Sequence, residues 1–268
     1  MENRSLFWKV GITTVFAVAM ALYWYFARPM IIEHLYSISH SGALGSQLSA
    51  CLMSVGGLVA YIGSFLQSLC TTPAIGALVM SVVLAIPLQM LVWNEMEAKT
   101  DALFLQSFIS SVLLLWLTGD QDVLPAYPVA LIIALIVSAI IDRKLIYADI
   151  IIIPVLYWLL GAAAWVYVLV RIVHCGWRTT WWMAAYMLIV QVVIWFACQS
   201  MSPAPTGFAA YHNDPSCVPA LTVIIPIVIM LMVIPVKSMT DKDASYKGAM
   251  IAQLVFLLII TAMAVAFS

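Results

Sequence analysis

The sequence predicts an all-α fold: a polytopic transmembrane helical bundle of about nine spans, in a single domain over residues 1–268. Three observations predict it. The chain is 65% hydrophobic and only 9% charged, whereas a soluble domain carries roughly 25% charged residues because its surface has to face water. Its mean hydropathy is +1.09. Apolar runs recur along it, the clearest about twenty residues long; at 1.5 Å per residue that makes a helix of roughly 30 Å, the thickness of a bilayer's hydrocarbon core. Lipid offers no hydrogen bonds, so such a run must satisfy its own backbone and be helical. The lipid bilayer is the expected partner. A net charge of −1 supplies no basic field and excludes nucleic acid. Five cysteines without a CxxC pair make no zinc or redox framework, and no cofactor or metal is expected.

The elements follow in order. The first span covers about Trp8 to Phe26; it ends in bulky aromatics where a cleaved signal would carry small residues, so it is read as retained. The second covers about Leu48 to Leu69, with Gly56, Ala60 and Ser64 repeating every four residues. That face lets another helix approach closely, from within the chain or from a second copy in a homo-oligomer. The third covers about Ala74 to Trp93, after the turn Thr71-Thr72-Pro73. The fourth (about Ala102 to Leu117) and fifth (about Tyr127 to Ile141) are short, as tilted spans or a re-entrant pair would be. The sixth covers about Ile146 to Val170 and contains DIIIIPVLYWLLGAAAWVYVLVR, uncharged between Asp149 and Arg171. The seventh, eighth and ninth cover about Thr179 to Cys198, Val218 to Val236 and Ala249 to Phe267.

Between spans, residues 28–47 place Met30, Ile31, Leu35 and Ile38 on one face of a short interfacial helix. Residues 199–219 are too rich in Pro, Gly, Ser and Asn for a regular helix, and 237–247 read as a solvated loop. With nine spans, Arg4, Lys9, Arg171, Arg178, Lys237, Lys242 and Lys247 share one side; Arg28, Lys99, Arg143 and Lys144 share the other. Seven against four puts the N-terminus in the cytoplasm and Ser268 outside.

Three constellations are chemically eligible. Asp149, about one turn inside the sixth span, is either a proton or cation ligand, or a carboxylate that caps its helix and reaches back to water. Glu33, His34, His40, His212 and Asp214 fall on one side and suit zinc or acid–base work, though without an HExxH spacing. Asp120 and Asp122, placed by the span count beside Arg171, His174 and Arg178, could hold a divalent ion on a phosphate or simply be solvated. Ile-Pro pairs at Pro87, Pro154, Pro226 and Pro235 either break helices around a site or serve packing. Gln67, Gln89, Gln106, Gln191 and Gln253 are expected to make interhelical hydrogen bonds. Cys51, Cys198 and Cys217 share the outer side, where a disulfide can form, most plausibly between Cys198 and Cys217.

The stretches YWYFARPMIIEHLYSISHSGALGSQL (23–48), LFLQSFISSVLLLWLTGDQD (103–122) and IIIIPVLYWLLGAAAWVYVLVRI (150–172) together resemble a family of multi-spanning bacterial inner-membrane proteins defined as a domain of unknown function. The resemblance implies an inner-membrane bundle with no assigned activity and no catalytic residues to transfer. Members of that family often continue into an extramembrane region, which is expected to be missing after Ser268. Three functions are then open: a scaffold or anchor without chemistry, a transporter or lipid flippase, and an envelope enzyme acting on lipid-linked glycan or phospholipid. The scaffold leads, because the spans carry few charges and no catalytic motif.

Overall fold

The computed structural model describes residues 2–41, 51–96, 101–142, 145–198, 210–212 and 220–233. Helix α1 (Glu2–Ala27) is followed by the short α2 (Pro29–Ser41). Helix α3 (Gly57–Leu69) follows. A turn then restarts the chain at α4 (Pro73–Leu78): the Thr72 hydroxyl accepts from the Ile75 N–H at 3.3 Å, and Pro73 occupies the first turn, where its missing N–H costs nothing. The rod continues through a π-helical stretch, Val79–Ala85, into α5 (Ile86–Glu95). The wide turns come just before Pro87, which cannot donate to the ladder, and the Ser111 hydroxyl donates to the Ala85 carbonyl at 2.7 Å.

The second half of the described chain holds α6 (Asp101–Gln106), α7 (Phe108–Thr118), α8 (Ala126–Ile140), α9 (Asp149–Leu160), α10 (Ala164–Cys175), α11 (Trp177–Cys198) and α12 (Ala220–Val233). Helix α10 lies at the centre, with Val166, Val168 and Val170 fully buried. Helix α1 lies at the edge, and its Phe7, Val15, Val18 and Leu22 face outward. At Gly63, a Cβ would come within 2.7 Å of the Ala126 backbone nitrogen, so only glycine lets α3 and α8 approach this closely. That contact lies inside the chain, while Gly56 caps α3 from a left-handed conformation, φ 75°.

Among the described residues, four segments are long and apolar enough to cross a membrane by length and composition: Phe7–Ala27, Pro73–Glu95, Asp149–Cys175 and Thr180–Ala197. Gly57–Leu69, Phe104–Thr118, Ala126–Ile140 and Thr222–Leu231 are shorter apolar helices. The expected ninth span and the 237–247 loop lie outside the described residues.

The sixth expected span is not one straight helix, although its length and hydropathy qualify it. In a straight helix Asp149 and Arg171 would stand about 33 Å apart; they form an ion pair at 3.0 Å. The chain enters along α9, turns through Gly161–Ala163 and returns along α10. Gly161 makes the turn, with φ 74° and ψ −146°, a conformation essentially reserved for glycine. Pro154 sits inside α9 without breaking it. Each arm has 12 residues, or roughly 18 Å, about half a membrane-spanning length.

The fold-back overturns the expected sorting of charges, because a hairpin returns the chain to its starting side. Lys9 lies 5.1 Å from the Trp93 ring, Glu95 reaches His174, and Arg171 reaches the Ile141 and Asp142 carbonyls. One end of the bundle therefore gathers Lys9, Glu95, Asp142, Asp149, Arg171 and His174. Asp142, which adjoins Arg143 and Lys144 in the chain, is with Arg171 and not opposite it.

Candidate functional site

Helix α10 turns Tyr167, Arg171 and His174 to one face, as the spacings of four and three dictate. Two carboxylates meet that face. Asp149, in the first turn of α9, is fully buried, and Arg171 is 1% exposed. The Arg171 Nη2 donates to Asp149 Oδ2 at 3.0 Å, and the Tyr167 hydroxyl donates to Asp149 Oδ1. Asp149 also sits where the α9 dipole favours negative charge. One turn further on, His174 Nε2 lies 2.7 Å from Glu95 Oε2, both side chains under 5% exposed. Arg171 Nε and Glu95 Oε1 are buried without a hydrogen-bond partner among the described residues. Taking such ions out of water costs several kcal/mol each, recovered only with good geometry. These pairs fix the base of the hairpin without adding much net stability.

The tip is held by neutral groups. Tyr211 donates its hydroxyl proton to the Leu160 carbonyl and accepts from the Ala163 N–H at 2.9 Å. Its own carbonyl accepts from Leu124 N–H at 2.8 Å. One residue from a connection distant in sequence thus joins the hairpin tip to the turn between α7 and α8. The neighbouring backbone also pairs, Val123 with His212 in an antiparallel bridge. Trp158 completes the corner, its carbonyl accepting from Gly56 N–H at 2.8 Å and its indole N–H donating to the Leu52 carbonyl at 2.8 Å.

Beside the tip lies a cavity of about 460 Å³. Its wall includes Ala162 and Ala163 of the hairpin turn, Trp165, Tyr127, Thr222 and Gln191. Leu188, Val223 and Ile227, each about half exposed, form its mouth on the outer surface of the bundle. Among the described residues no charged side chain lines it. The Tyr127 hydroxyl is committed to the Thr222 carbonyl at 2.8 Å, and the Thr222 hydroxyl lies 3.4 Å from His212 Nε2. Burial holds the His212 imidazole below the usual histidine range, against the opposing pull of the Asp120 and Asp122 charges.

The expected site residues are distributed as follows. Asp120 and Asp122 lie in the exposed turn after α7, with the Asp122 N–H donating to Asp120 Oδ1 at 3.1 Å. They neighbour His212, not Arg171, His174 and Arg178 as the span count required. Asp149 is buried against Arg171 instead of reaching water. Glu33 is exposed and His34 half-buried on α2, which packs on α3 and α4. The side chains of His40 and Cys198, and the whole of Asp214 and Cys217, lie outside the described residues. Cys51 and Cys70 are free thiols. Among the described residues no three His, Cys, Asp or Glu side chains converge as metal ligands.

A family model described as a family of unknown function, DUF6057, matches residues 5–265. The chain belongs to that family. No curated protein and no solved structure matches it. Membership in DUF6057 agrees with the resemblance seen in the sequence and assigns no residue a role.

Sequence reasoning missed Glu95, Tyr167 and Tyr211. Tyr167 was discoverable, because it stands four residues before Arg171 and so shares its helical face. Glu95 and Tyr211 carry no local signal, since their partners lie 79 and 51 residues away.

Proposed function

We propose that this protein moves an amphipathic molecule of the bilayer across the membrane, as a transporter or flippase does, and is not merely a scaffold. The cavity walled by the tip of the folded-back hairpin carries the reading. Irregular backbone at membrane depth is tolerated only where it is buried in protein or lines a cavity, and transporters build their sites from half-length helices that end this way. Ala162 and Ala163 belong both to the turn and to the cavity wall. The buried Asp149, Arg171, Glu95 and His174 support the same reading, because ionisable groups within membrane bundles are expensive and mark working parts.

The same reading orients the chain. Lys9, Arg171 and Arg178 belong to the base of the bundle, so the base faces the cytoplasm by the excess of Lys and Arg there. The membrane is a bacterial inner membrane, as the family resemblance implies.

The full chain reconstituted in liposomes with a fluorescent tail-labelled phospholipid tests this. Dithionite bleaches only outer-leaflet dye, so a translocating protein lets bleaching run past the half reached in protein-free vesicles. Ala163→Trp fills the cavity and should return the rate to the protein-free level while the variant still melts cooperatively. Wild-type protein that leaves the inner-leaflet dye protected overturns the proposal.

A further inference from the structure

The cavity and the acidic turn occupy one corner of the fold. Thr222 lines the cavity and its hydroxyl also touches His212. His212 pairs its backbone with Val123, the residue after Asp122. Tyr127, on the cavity wall, is one turn further along the same segment. A chamber opening on the outer surface is thus adjoined, through Thr222, by a polar corner that carries His212 and the exposed carboxylates of Asp120 and Asp122. His212 itself is 2% exposed, and its Nδ1 is buried without a partner among the described residues. A ligand group that donates a hydrogen bond at this corner would satisfy that nitrogen. At the base of the bundle, by contrast, the charged side chains meet one another, Arg171 with Asp149 and His174 with Glu95.

Charge selects the ligand. Two carboxylates beside a buried imidazole repel a bare phosphate or carboxylate and attract a cation that donates hydrogen bonds. The mouth, formed by Leu188, Val223 and Ile227, admits hydrocarbon from the lipid side. Resting on the transporter reading, we infer that the cavity takes a hydrocarbon chain of a lipid with a primary ammonium headgroup. The ammonium sits toward Asp120, Asp122 and His212. The headgroup's phosphate stays at the water-exposed rim and is not itself recognised. The turn between α7 and α8 thereby acts as the selecting element for the molecule whose tail the hairpin tip receives.

The test is binding, read separately from translocation. The detergent-solubilised full chain is melted in mixed micelles containing phosphatidylethanolamine or phosphatidylglycerol with identical tails. Phosphatidylethanolamine should raise the melting midpoint by about 3 °C or more over phosphatidylglycerol, the scale expected when a ligand saturates a site on a chain of this size. Asp120→Asn with Asp122→Asn should remove the preference and leave a common response to both lipids. Ala163→Trp should remove the response to either. Equal or greater stabilisation by phosphatidylglycerol overturns the inference, as does a preference that survives the double Asn variant. No shift with any lipid, the result expected if another segment of the chain fills the cavity, overturns it as well. Translocation without headgroup preference would sink this inference alone, whereas binding without translocation would sink the transporter reading alone.

Discussion

The two ends of the hairpin are fastened by opposite means. At the base, Arg171 of α10 meets Asp149 in an ion pair and His174 meets Glu95 in a histidine–carboxylate contact, all four side chains almost sealed from solvent. At the tip, a single neutral tyrosine, Tyr211, satisfies two backbone groups of the turn. Charges tolerate no half measures when buried: the pair adds little net stability, but a lone survivor is severely penalised. A neutral hydrogen bond contributes about 1 kcal/mol, and its loss is limited to the groups left unpaired. The base should therefore behave as an all-or-none clasp and the tip as a graded one. Local opening should therefore cost less at the tip than at the base.

The sharpest way to break this comparison is to remove one ion. Arg171→Met leaves the Asp149 carboxylate buried with Tyr167 alone and should cost about 3–5 kcal/mol, read as a fall in the denaturation midpoint in detergent. Replacing the whole group (Asp149→Leu, Tyr167→Phe and Arg171→Met together) should recover most of that loss, since well-packed apolar side chains substitute for a buried pair at little net cost. A triple variant as unstable as the single one would mean that the base is held by something other than charge pairing.

The tip should respond less. Tyr211→Phe keeps the ring against Tyr127, 5.2 Å between centroids, and removes only the hydroxyl. The Ala163 N–H and Leu160 carbonyl then lose a partner, for a cost of about 2–3 kcal/mol. Amide hydrogen exchange checks where the cost falls: protection should drop at residues 160–163 and hold near Asp149 and Arg171. Uniform loss over both ends would show that the hairpin opens as one unit and that the contrast between its ends is not real.

The same contrast explains what the sequence made legible. Composition and run length revealed the all-α bundle, because in a 65% hydrophobic chain continuous apolar runs of about twenty residues satisfy their backbone in lipid as helices, not as the short alternating strands of a barrel. They also brought Asp149 and Arg171 into view as charges bounding an apolar run. They could not show that the two charges touch, because hydropathy averages over Gly161, and a single glycine reversing the chain leaves the average unchanged. Treating the run as one crossing inverted the side of everything after it. This is why Asp120 and Asp122 were expected beside Arg171 and stand instead beside His212. Pro154 and Pro226, the visible helix breakers, both lie inside helices that continue through them. Tyr211 was beyond reach altogether: its partners come from the far side of α10 and α11, and nothing in its neighbourhood distinguishes it.

The smallest expected effect is also the one that most directly separates tip from base, because it depends on pH. Burial lowers the affinity of His212 for a proton in the folded protein, while Asp120 and Asp122 oppose the shift. In the unfolded chain the same group titrates near 6.5. Above that value both states leave the ring neutral, and the stability tied to its burial is fully present. As pH falls through 6.5 the unfolded chain takes up the proton first, so folding becomes less favourable toward the lower folded value. Melting at pH 7.5, 6.5 and 5.5 should therefore show a decline on acidification that His212→Gln reduces. Asp120→Asn with Asp122→Asn should steepen the decline, since removing the carboxylates removes charges that help the buried ring hold a proton. If the double Asn variant instead flattens it, the two carboxylates do not act on His212 through space, and the acidic turn belongs to the solvent rather than to the corner that closes the cavity.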